Sequence, residues 1–207
     1  MKNIYLFTAT LTEAKPLLRL SENISENFIN KVKIRTFEFN ELKIHVIITG
    51  IGPQKTKRTL DAVADYINNG AIINIGIAGS LNNKLKIGEW RIINQLLLSI
   101  DFNKKIELIT DDDFNAASIL TSGSEITSEK IKQKHHKEYS ADLVDMESFY
   151  IADFAKQKNL PCKIIKMISD YANENANSLS ALKETIRKYY NPNAGELFLK
   201  ITDVSLL

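Results

Sequence analysis

The feature that most constrains the fold is an alternation of short apolar runs with amphipathic stretches along the chain. Several runs are almost entirely apolar, as expected for strands covered on both faces. This alternation predicts an α/β fold. The predicted strands are Asn3–Ala9, Ile34–Phe39, Ile44–Thr49, Ala71–Ile77, Glu89–Asn94 and Lys163–Ile168. The predicted helices are Glu13–Leu20, Gln54–Asn68, Ser128–Lys137, Met146–Lys158, Leu179–Tyr190 and Ala194–Ile201.

The helical segments carry the periodicity of surface helices. In the second one, Leu60, Val63, Ala64 and Ile67 follow the spacing i, i+3, i+4, i+7, which gives one apolar face. Pro192 is expected to separate the last two helices. The sequence shows no internal repeat and no linker, so we predict a single domain spanning residues 1–207.

Charge and apolar content narrow the class of protein. The net charge is only +2 and the charges are dispersed, so we expect no nucleic-acid partner. No stretch approaches the roughly 20 apolar residues of a membrane span. The N-terminal apolar run breaks at Thr8, and Glu13 follows, unlike a signal peptide. The single Cys162 excludes an intramolecular disulfide and is typical of a reducing compartment. We therefore expect a cytoplasmic protein with no membrane partner, and Cys162 is expected to fill core.

The acidic run at residues 111–113 is a candidate metal site only in composition. Carboxylates suit hard cations, but other ligands at a suitable spacing are missing from the sequence around this run. A solvated loop or helix start is the better interpretation. We expect no metal and no cofactor.

Two glycine-containing segments follow predicted strands. They are "TGIGP" at residues 49–53 and "GIAGS" at residues 76–80. Neither contains the dinucleotide fingerprint or the Gly-Lys-Ser/Thr of a P-loop. Each one alone is explained by a tight turn. Their joint position after strands of an α/β sheet predicts a ligand crevice at the strand ends.

Three acids, Glu13, Glu147 and Asp170, lie at predicted strand ends or helix starts. Paired carboxylates near one ligand allow one group to act as a base while another donates a proton. Cleavage of a glycosidic bond requires this division. Ser169 could orient Asp170 by hydrogen bonding. Structural roles stay open for two of them, because Asp is a common cap and acids favour helix N-termini, as for Glu13.

Several blocks of the sequence resemble the nucleoside phosphorylase and nucleosidase superfamily. They are "TATLTEAKPLL", "TGIGP", "NIGIAGSLNNKLKIGEW" and "DLVDMESFYIADFAKQKNLPCKIIKMISDYAN", spread over Ile4 to about Asn175. The resemblance is to the hydrolytic branch, which contains 5′-methylthioadenosine/S-adenosylhomocysteine nucleosidases and futalosine hydrolases. It implies a single-domain, three-layer α/β/α sandwich around a central mixed, mostly parallel twisted sheet. It also implies a purine nucleoside substrate and a homodimer.

The resemblance implies a role for each matched residue. Glu13 would activate the attacking water, and Asp170, oriented by Ser169, would protonate or hydrogen-bond the purine N7. Glu147 would hold the ribose 2′-hydroxyl. The remaining pocket residues implied by the match are Met146, packed on the sugar, Ala78 and Gly79, which line the pocket, and Ile126 in the base-contacting segment.

Departures from the family pattern leave two alternatives open. Residues 95–120 replace a longer family segment, and the aromatic that stacks on the base is not evident near Ile126. Lys166 replaces an arginine usual in its strand. A noncatalytic nucleoside-binding relative is therefore one alternative. A phosphorylase is the other, although the arginine expected just before Gly76 is absent and hydrolysis is favoured. The aspartate at position 170 suits a 6-amino purine, so we expect adenine as the leaving base.

Overall fold

The computed structural model describes residues 1–110, 116–174 and 179–201, so the acidic run at 111–113 lies outside the described residues. The strands are β1 Lys2–Thr8, β2 Ser25–Ile29, β3 Val32–Phe39, β4 Leu42–Ile48, β5 Ala71–Ser80, β6 Trp90–Leu98, β7 Asp101–Glu107, β8 Ala116–Thr121, β9 Leu143–Asp145 and β10 Cys162–Asp170. The helices are α1 Leu11–Leu18, α2 Pro53–Val63, α3 Glu129–Tyr139, α4 Ser148–Gln157, α5 Leu179–Thr185 and α6 Asn191–Ile201, with a π-helical turn, Ile186–Tyr190, between the last two.

Ten strands form one mixed sheet that closes on itself at one end. Five of them make a ring in which each strand pairs with the next, in the order β5, β10, β6, β8, β9 and back to β5. The other strands continue from β5 through β1, β4 and β3 to β2. Strand β7 pairs with the second half of β6. The ring places β5, β9 and β10 side by side, and these strands carry four of the eight predicted site residues, namely Ala78, Gly79, Ser169 and Asp170.

The predicted mixed α/β fold is confirmed, but a mostly parallel sheet is not. Among the described residues, five strand pairs are parallel and five are antiparallel. The antiparallel pairs arise largely from strands that the sequence pattern did not reveal, namely β2, β7 and β9. These strands are short, exposed or polar, so they lack the apolar signature of a covered strand.

The core lies on both faces of β1. Its residues Tyr5 and Phe7 belong to a buried cluster with side chains of α2 and α4. Its alternate residues Ile4 and Leu6 belong to a second cluster with side chains of α1 and α6. Successive residues of a strand point to opposite faces, so helices pack on each side of this part of the sheet. The three-layer description stays a prediction that agrees with these two clusters.

Two segment predictions are corrected by the structure. The "GIAGS" segment is not a turn, because β5 continues to Ser80, where Gly79 and Ser80 pair with β9. The helix predicted over Gln54–Asn68 ends at Val63, although Leu60, Val63 and Ile67 are buried as expected.

Pro192 does not separate the C-terminal helices. It is the second residue of α6, and the π-helical turn joins α6 to α5 without a gap. The amide of Asn191 donates to the carbonyl of Ile186 five residues earlier. Proline disrupts a helix by clashing with the carbonyl four residues before it. The wider π-helical turn directly before Pro192 relaxes that constraint, which explains why the helix continues.

Cys162 begins β10 and packs at the margin of the first core cluster, as expected for a core residue. Burial raises the pKa of its thiol to about 12. The thiol is therefore protonated at neutral pH.

Among the described residues, no helix is long and apolar enough to cross a membrane.

Candidate active site

Glycines in β5 create the space in which two predicted catalytic acids lie. A Cβ atom on Gly76 would lie 2.8 Å from Oε1 of Glu13, and one on Gly79 would lie 3.0 Å from Oδ1 of Asp170. Both carboxylates therefore occupy volume that any other residue would fill. These glycines serve close approach of side chains to a strand, not the turn expected from the sequence.

Glu13 is held rigidly by its own helix and by β5. Its Oε2 accepts hydrogen bonds from the amide and the hydroxyl of Thr10, at 2.7 and 2.8 Å, and the Thr10 hydroxyl accepts from the Glu13 amide. This is a capping box at the start of α1. Its Oε1 accepts from the Ile77 amide at 3.1 Å. The helix-start role left open by the sequence is thus confirmed, and it is compatible with a site role.

Burial raises the pKa of Glu13, and the charge of Lys166 and the three hydrogen bonds oppose that rise. The carboxyl is 3% exposed. A raised pKa makes the ionised carboxylate a stronger base toward a bound water.

Glu147 is held at the start of α4 by the first glycine segment. Its Oε1 accepts from the Gly52 amide at 2.7 Å, and Gly52 has a φ of 97°, which favours glycine. Among the described residues, no donor reaches its Oε2. Met146 precedes it, with Cε 3.5 Å from the position of a Cβ on Gly52. The open oxygen of Glu147 can accept a hydrogen bond from a ligand.

The pKa of Glu147 is raised to about 7 by burial first and then by the nearby charge of Asp145. The positive charge of Lys166 and the Gly52 hydrogen bond oppose this rise, and the charge of Glu13 adds to it. Glu13 and Glu147 thus influence each other's ionisation through space.

A buried ion pair connects these acids. The ammonium of Lys166 in β10 lies 3.0 Å from Oδ2 of Asp145 in β9, and both side chains are nearly fully buried. Lys166 pairs with Gly76 in register, and a Cβ on that glycine would lie 3.5 Å from its Nζ. Asp145 also accepts from the Thr121 hydroxyl at 2.9 Å and from the Ser148 amide at 3.0 Å. Asp145 is a site residue that the sequence pattern did not predict.

Asp170 closes β10 beside Gly79. Its Oδ2 accepts from the Ser169 hydroxyl at 2.6 Å, which confirms the orienting contact expected from the sequence. Its Oδ1 accepts from the Ala172 amide at 2.8 Å, so the alternative role as a turn cap is confirmed as well. Asp170 is half-buried, and a carboxylate with two accepted bonds retains lone pairs for a ligand.

The other predicted pocket residues are buried near this region. Ala78, 3% exposed, accepts from the Ser169 hydroxyl through its carbonyl at 3.2 Å. Ile126, 5% exposed, packs in a cluster with Val144 and Ala172. Ile126 therefore contacts the segment that follows Asp170, and its side chain is largely covered by protein.

The structure brings Glu13 and Glu147 into one electrostatic cluster around Lys166. Asp170 lies beside Gly79, three residues beyond Gly76 on β5, which is a rise of about 10 Å. Lys166 and Asp145 are the site residues that sequence reasoning missed or left without a role. A lysine inside an otherwise apolar strand, "KIIKMIS", was the available signal, because buried charges are rare unless paired. Within the described ranges, no group of three or more His, Cys, Asp and Glu side chains is arranged to hold a metal ion.

Comparison with known proteins decides the family. The sequence model described as the phosphorylase superfamily matches residues 3–118 and 108–201. The chain belongs to the phosphorylase superfamily. Within it, the chain is 27% identical over 194 residues to a 5′-methylthioadenosine/S-adenosylhomocysteine nucleosidase of Buchnera aphidicola, covering 80% of this chain and 83% of that protein. It is 23% identical over 206 residues to an aminodeoxyfutalosine nucleosidase of Campylobacter jejuni, covering 85% and 89%.

Solved structures of other proteins share this fold. A futalosine hydrolase mutant of Helicobacter pylori superposes with a TM-score of 0.85 at 19% identity, covering 98% of this chain and 99% of that one. A 5′-methylthioadenosine/S-adenosylhomocysteine nucleosidase of Streptococcus pneumoniae superposes with a TM-score of 0.82 at 22% identity, covering 94% and 96%. The strand ring and the outer strands therefore form the fold of these nucleosidases.

Proposed function

We propose that this superfamily member hydrolyses the N-glycosidic bond of a 5′-modified purine nucleoside and releases the free base. The observation that carries this proposal is the placement of Glu13, Glu147 and Asp170 along one stretch of β5 and its neighbours. The two relatives compared above are nucleosidases, which supports the same reaction class.

In the proposed reaction, each acid acts on a different part of the substrate. Glu13 draws a proton from water as the water attacks the sugar carbon. Glu147 accepts a hydrogen bond from the ribose 2′-hydroxyl through its open Oε2, with Met146 against the sugar. Asp170, oriented by Ser169, donates a proton to N7, so the base leaves uncharged. The sugar gains positive charge as the bond breaks, and the surrounding carboxylates stabilise that charge.

Water is favoured over phosphate as the acceptor because the site is acidic. Phosphate binding requires fixed cationic donors, most often arginine. The residues of β5 before Gly76 are Ile72, Ile73, Asn74 and Ile75. The buried cation beside Gly76 is Lys166, and it is paired with Asp145.

The test is release of free base from four nucleosides by the purified protein. They are 5′-methylthioadenosine, S-adenosylhomocysteine, aminodeoxyfutalosine and futalosine, each assayed by chromatography with and without phosphate. We expect phosphate-independent release of adenine, because Asp170 suits a 6-amino purine. Strict dependence on phosphate, with formation of the 1-phosphate of the correspondingly 5-substituted ribose, would establish a phosphorylase instead. Tight binding without turnover would indicate a noncatalytic relative.

Asp170→Asn provides the first variant for this assay. If Asp170 is the general acid, the variant loses roughly 10²–10⁴-fold in kcat. Asp61→Asn is the matched control, because Asp61 is an exposed residue of α2 and should leave the rate unchanged. An unaffected rate in Asp170→Asn removes the assignment of this residue.

We further propose that residues 1–207 form one domain, since a single sheet draws strands from residue 2 to residue 170. A homodimer and a cytoplasmic location are part of the same proposal. Two exposed apolar side chains adjoin the site and are candidates for such an interface, Leu11 beside the capping box and Ile51 beside Gly52. Sedimentation would establish the oligomeric state.

A further inference from the structure

The turn that follows Asp170 has a strained backbone. Ala172 has a φ of 49°, in the left-handed region that alanine rarely adopts, and its side chain is 2% exposed. In this conformation the Ala172 amide donates to Oδ1 of Asp170 at 2.8 Å. Residues with such backbone angles persist only where the surrounding structure holds them, and they cluster at functional sites. Contacts from outside the turn are therefore needed to hold it.

Helix α3 supplies contacts on both sides of Ala172. Before it in the chain, the Tyr171 ring packs against α3, with the ammonium of Lys132 over the ring, 5.5 Å from its centroid. After it, the side-chain amide of Asn173 donates to Oε2 of Glu129 at 3.2 Å. The first two turns of α3 thus contact the residues directly before and after Ala172.

Lys132 is the unusual member of these contacts, because it is a buried cation without a countercharge. It is 1% exposed, and its ammonium donates to Oδ1 of Asn83 at 2.6 Å. In the part of the chain that the structure describes, no carboxylate forms an ion pair with it. Burying an unpaired charge is unfavourable, and methionine would fill a similar volume without this penalty. What the ammonium holds therefore explains Lys132 better than stability does.

The two contacts of Lys132 join the segments that leave β5 and β10. Asn83 lies in the segment that follows β5, and Tyr171 directly follows β10. Asp170 pairs with Gly79 in the register of these two strands. The ammonium is hydrogen-bonded to one segment and attracted to the ring face of the other. Lys132 thus fixes the two segments relative to each other at the strand ends where the carboxyl group of Asp170 lies.

We propose that Lys132 is a positioning residue that holds the turn after β10, so that the Ala172 amide keeps the carboxyl group of Asp170 in the direction needed for proton donation. The proposal rests on the proposed function, in which Asp170 donates a proton to N7. The hydrogen bond at Oδ1 restricts rotation of the carboxyl group, and proton transfer depends on the distance and direction between donor and acceptor. Lys132 acts only through the turn and transfers no proton.

The first test follows the Ala172 amide in the free protein by nitrogen-15 NMR. Lys132→Met should speed hydrogen exchange of this amide about tenfold, because the turn opens more readily without the ammonium. The Ile168 amide in β10, which donates to the Glu89 carbonyl at 2.9 Å, reports opening of the sheet and should change less. Lys130→Met is the matched control, because Lys130 is an exposed lysine of the same helix. Unchanged exchange at Ala172 in Lys132→Met overturns the proposal.

The second test is a double-mutant cycle in kcat. Lys132→Met alone should lower kcat about 10- to 10²-fold with little change in KM, because a misplaced catalytic group slows the chemical step. In the Asp170→Asn background, the same substitution should lower kcat no further, because Lys132 acts through Asp170. Equal losses in the two backgrounds overturn the proposal, since a merely structural effect does not depend on the group at position 170.

Tyr171→Leu is a second variant, which leaves the buried lysine in place. Tyr171 is 36% exposed, so its substitution should disturb the core little. It should give the same faster exchange at Ala172 and the same coupling to Asp170. An unchanged Ala172 amide in this variant contradicts the proposal even where Lys132→Met does not fold. The amide measurements need no substrate, so they decide whether Lys132 holds the turn even if no nucleoside is cleaved and the proposed function alone fails.

Discussion

Lys166 is the residue on which the electrostatics of the candidate site depend. Its ammonium is paired with Asp145 at 3.0 Å, and its charge lowers the pKa of both Glu13 and Glu147 against the effect of burial. A buried ion pair contributes little net stability compared with apolar residues of the same shape. Removing one partner, however, leaves the other charge buried and unpaired. The pair is therefore better explained by its effect on the ionisation of the acids than by stability.

Lys166→Met should destabilise the protein by about 3–5 kcal/mol, because Asp145 loses its countercharge in the interior. Urea unfolding measures this change. The double variant with Asp145→Asn should recover part of the loss, which a double-mutant cycle would show as a coupling energy. Lys105→Met is the control, since Lys105 forms an exposed ion pair with Glu107 at 2.9 Å and should cost no more than about 1 kcal/mol. Equal effects of the two substitutions would contradict the assigned role of the buried pair.

At the level of elements, β5 makes room for two catalytic candidates because it has glycine, which has no side chain, at two positions. Gly76 and Gly79 leave room for the carboxylates of Glu13 and Asp170 directly against the strand. Two glycines weaken a central strand, and they occur where other groups approach its backbone closely. Strand β5 thus acts as the floor of the site.

Gly76→Ala should lower activity more than it lowers stability. The new methyl group would lie 2.8 Å from Oε1 of Glu13, and a displacement of about 1 Å in a catalytic group can cost about 10²-fold in rate. Gly79→Ala should have a smaller effect, since its methyl group would meet Asp170 Oδ1 at 3.0 Å. Steady-state kinetics alongside thermal unfolding separates the two effects. Gly195→Ala is the control, because its nearest neighbour lies at 3.4 Å and the position is helical. Full activity in Gly76→Ala would exclude close positioning of Glu13 by β5.

The sequence predicted the elements with strong apolar periodicity and missed those without it. The predicted strands and helices correspond to six strands and to the helices of the structure, with shifted ends. Strand β9 has three residues, which is too short for a periodic pattern. The extension of β5 through "GIAGS" was not predicted because glycine usually marks a turn, whereas here Gly76 and Gly79 leave room for the side chains of Glu13 and Asp170. Lys166 and Asp145 lie on consecutive strands that are separated by α4 and that each pair with β5, so their contact depends on the sheet topology and not on a sequence spacing.

At the scale of the whole molecule, two buried groups make stability depend on pH in opposite directions. His45, 4% exposed, packs on Tyr5 with ring centroids 5.0 Å apart, and burial followed by the charge of Lys43 lowers its pKa to about 4. Its ring nitrogens contact the Tyr66 hydroxyl at 2.8 Å and Asn3 Oδ1 at 3.1 Å. The unfolded chain binds a proton at His45 near pH 6.5, so this residue makes stability fall as pH drops from about 6.5 to 4. Glu147 acts oppositely, because its folded pKa of about 7 exceeds the usual 4.5.

Variants of these two residues should separate the contributions. His45→Gln removes the histidine contribution, so its loss of stability relative to the unaltered protein should be smaller at pH 5 than at pH 8. Glu147→Gln removes a carboxyl whose charge is unfavourable in the interior. It should therefore stabilise the protein more at pH 8 than at pH 5, with each slope at most about 1.4 kcal/mol per pH unit. Urea unfolding at both pH values gives the four differences. Parallel pH dependence of stability in all three proteins would refute this assignment. A Glu147→Gln variant that is more stable but inactive would show that the site retains a buried acid that lowers stability because its chemistry requires it.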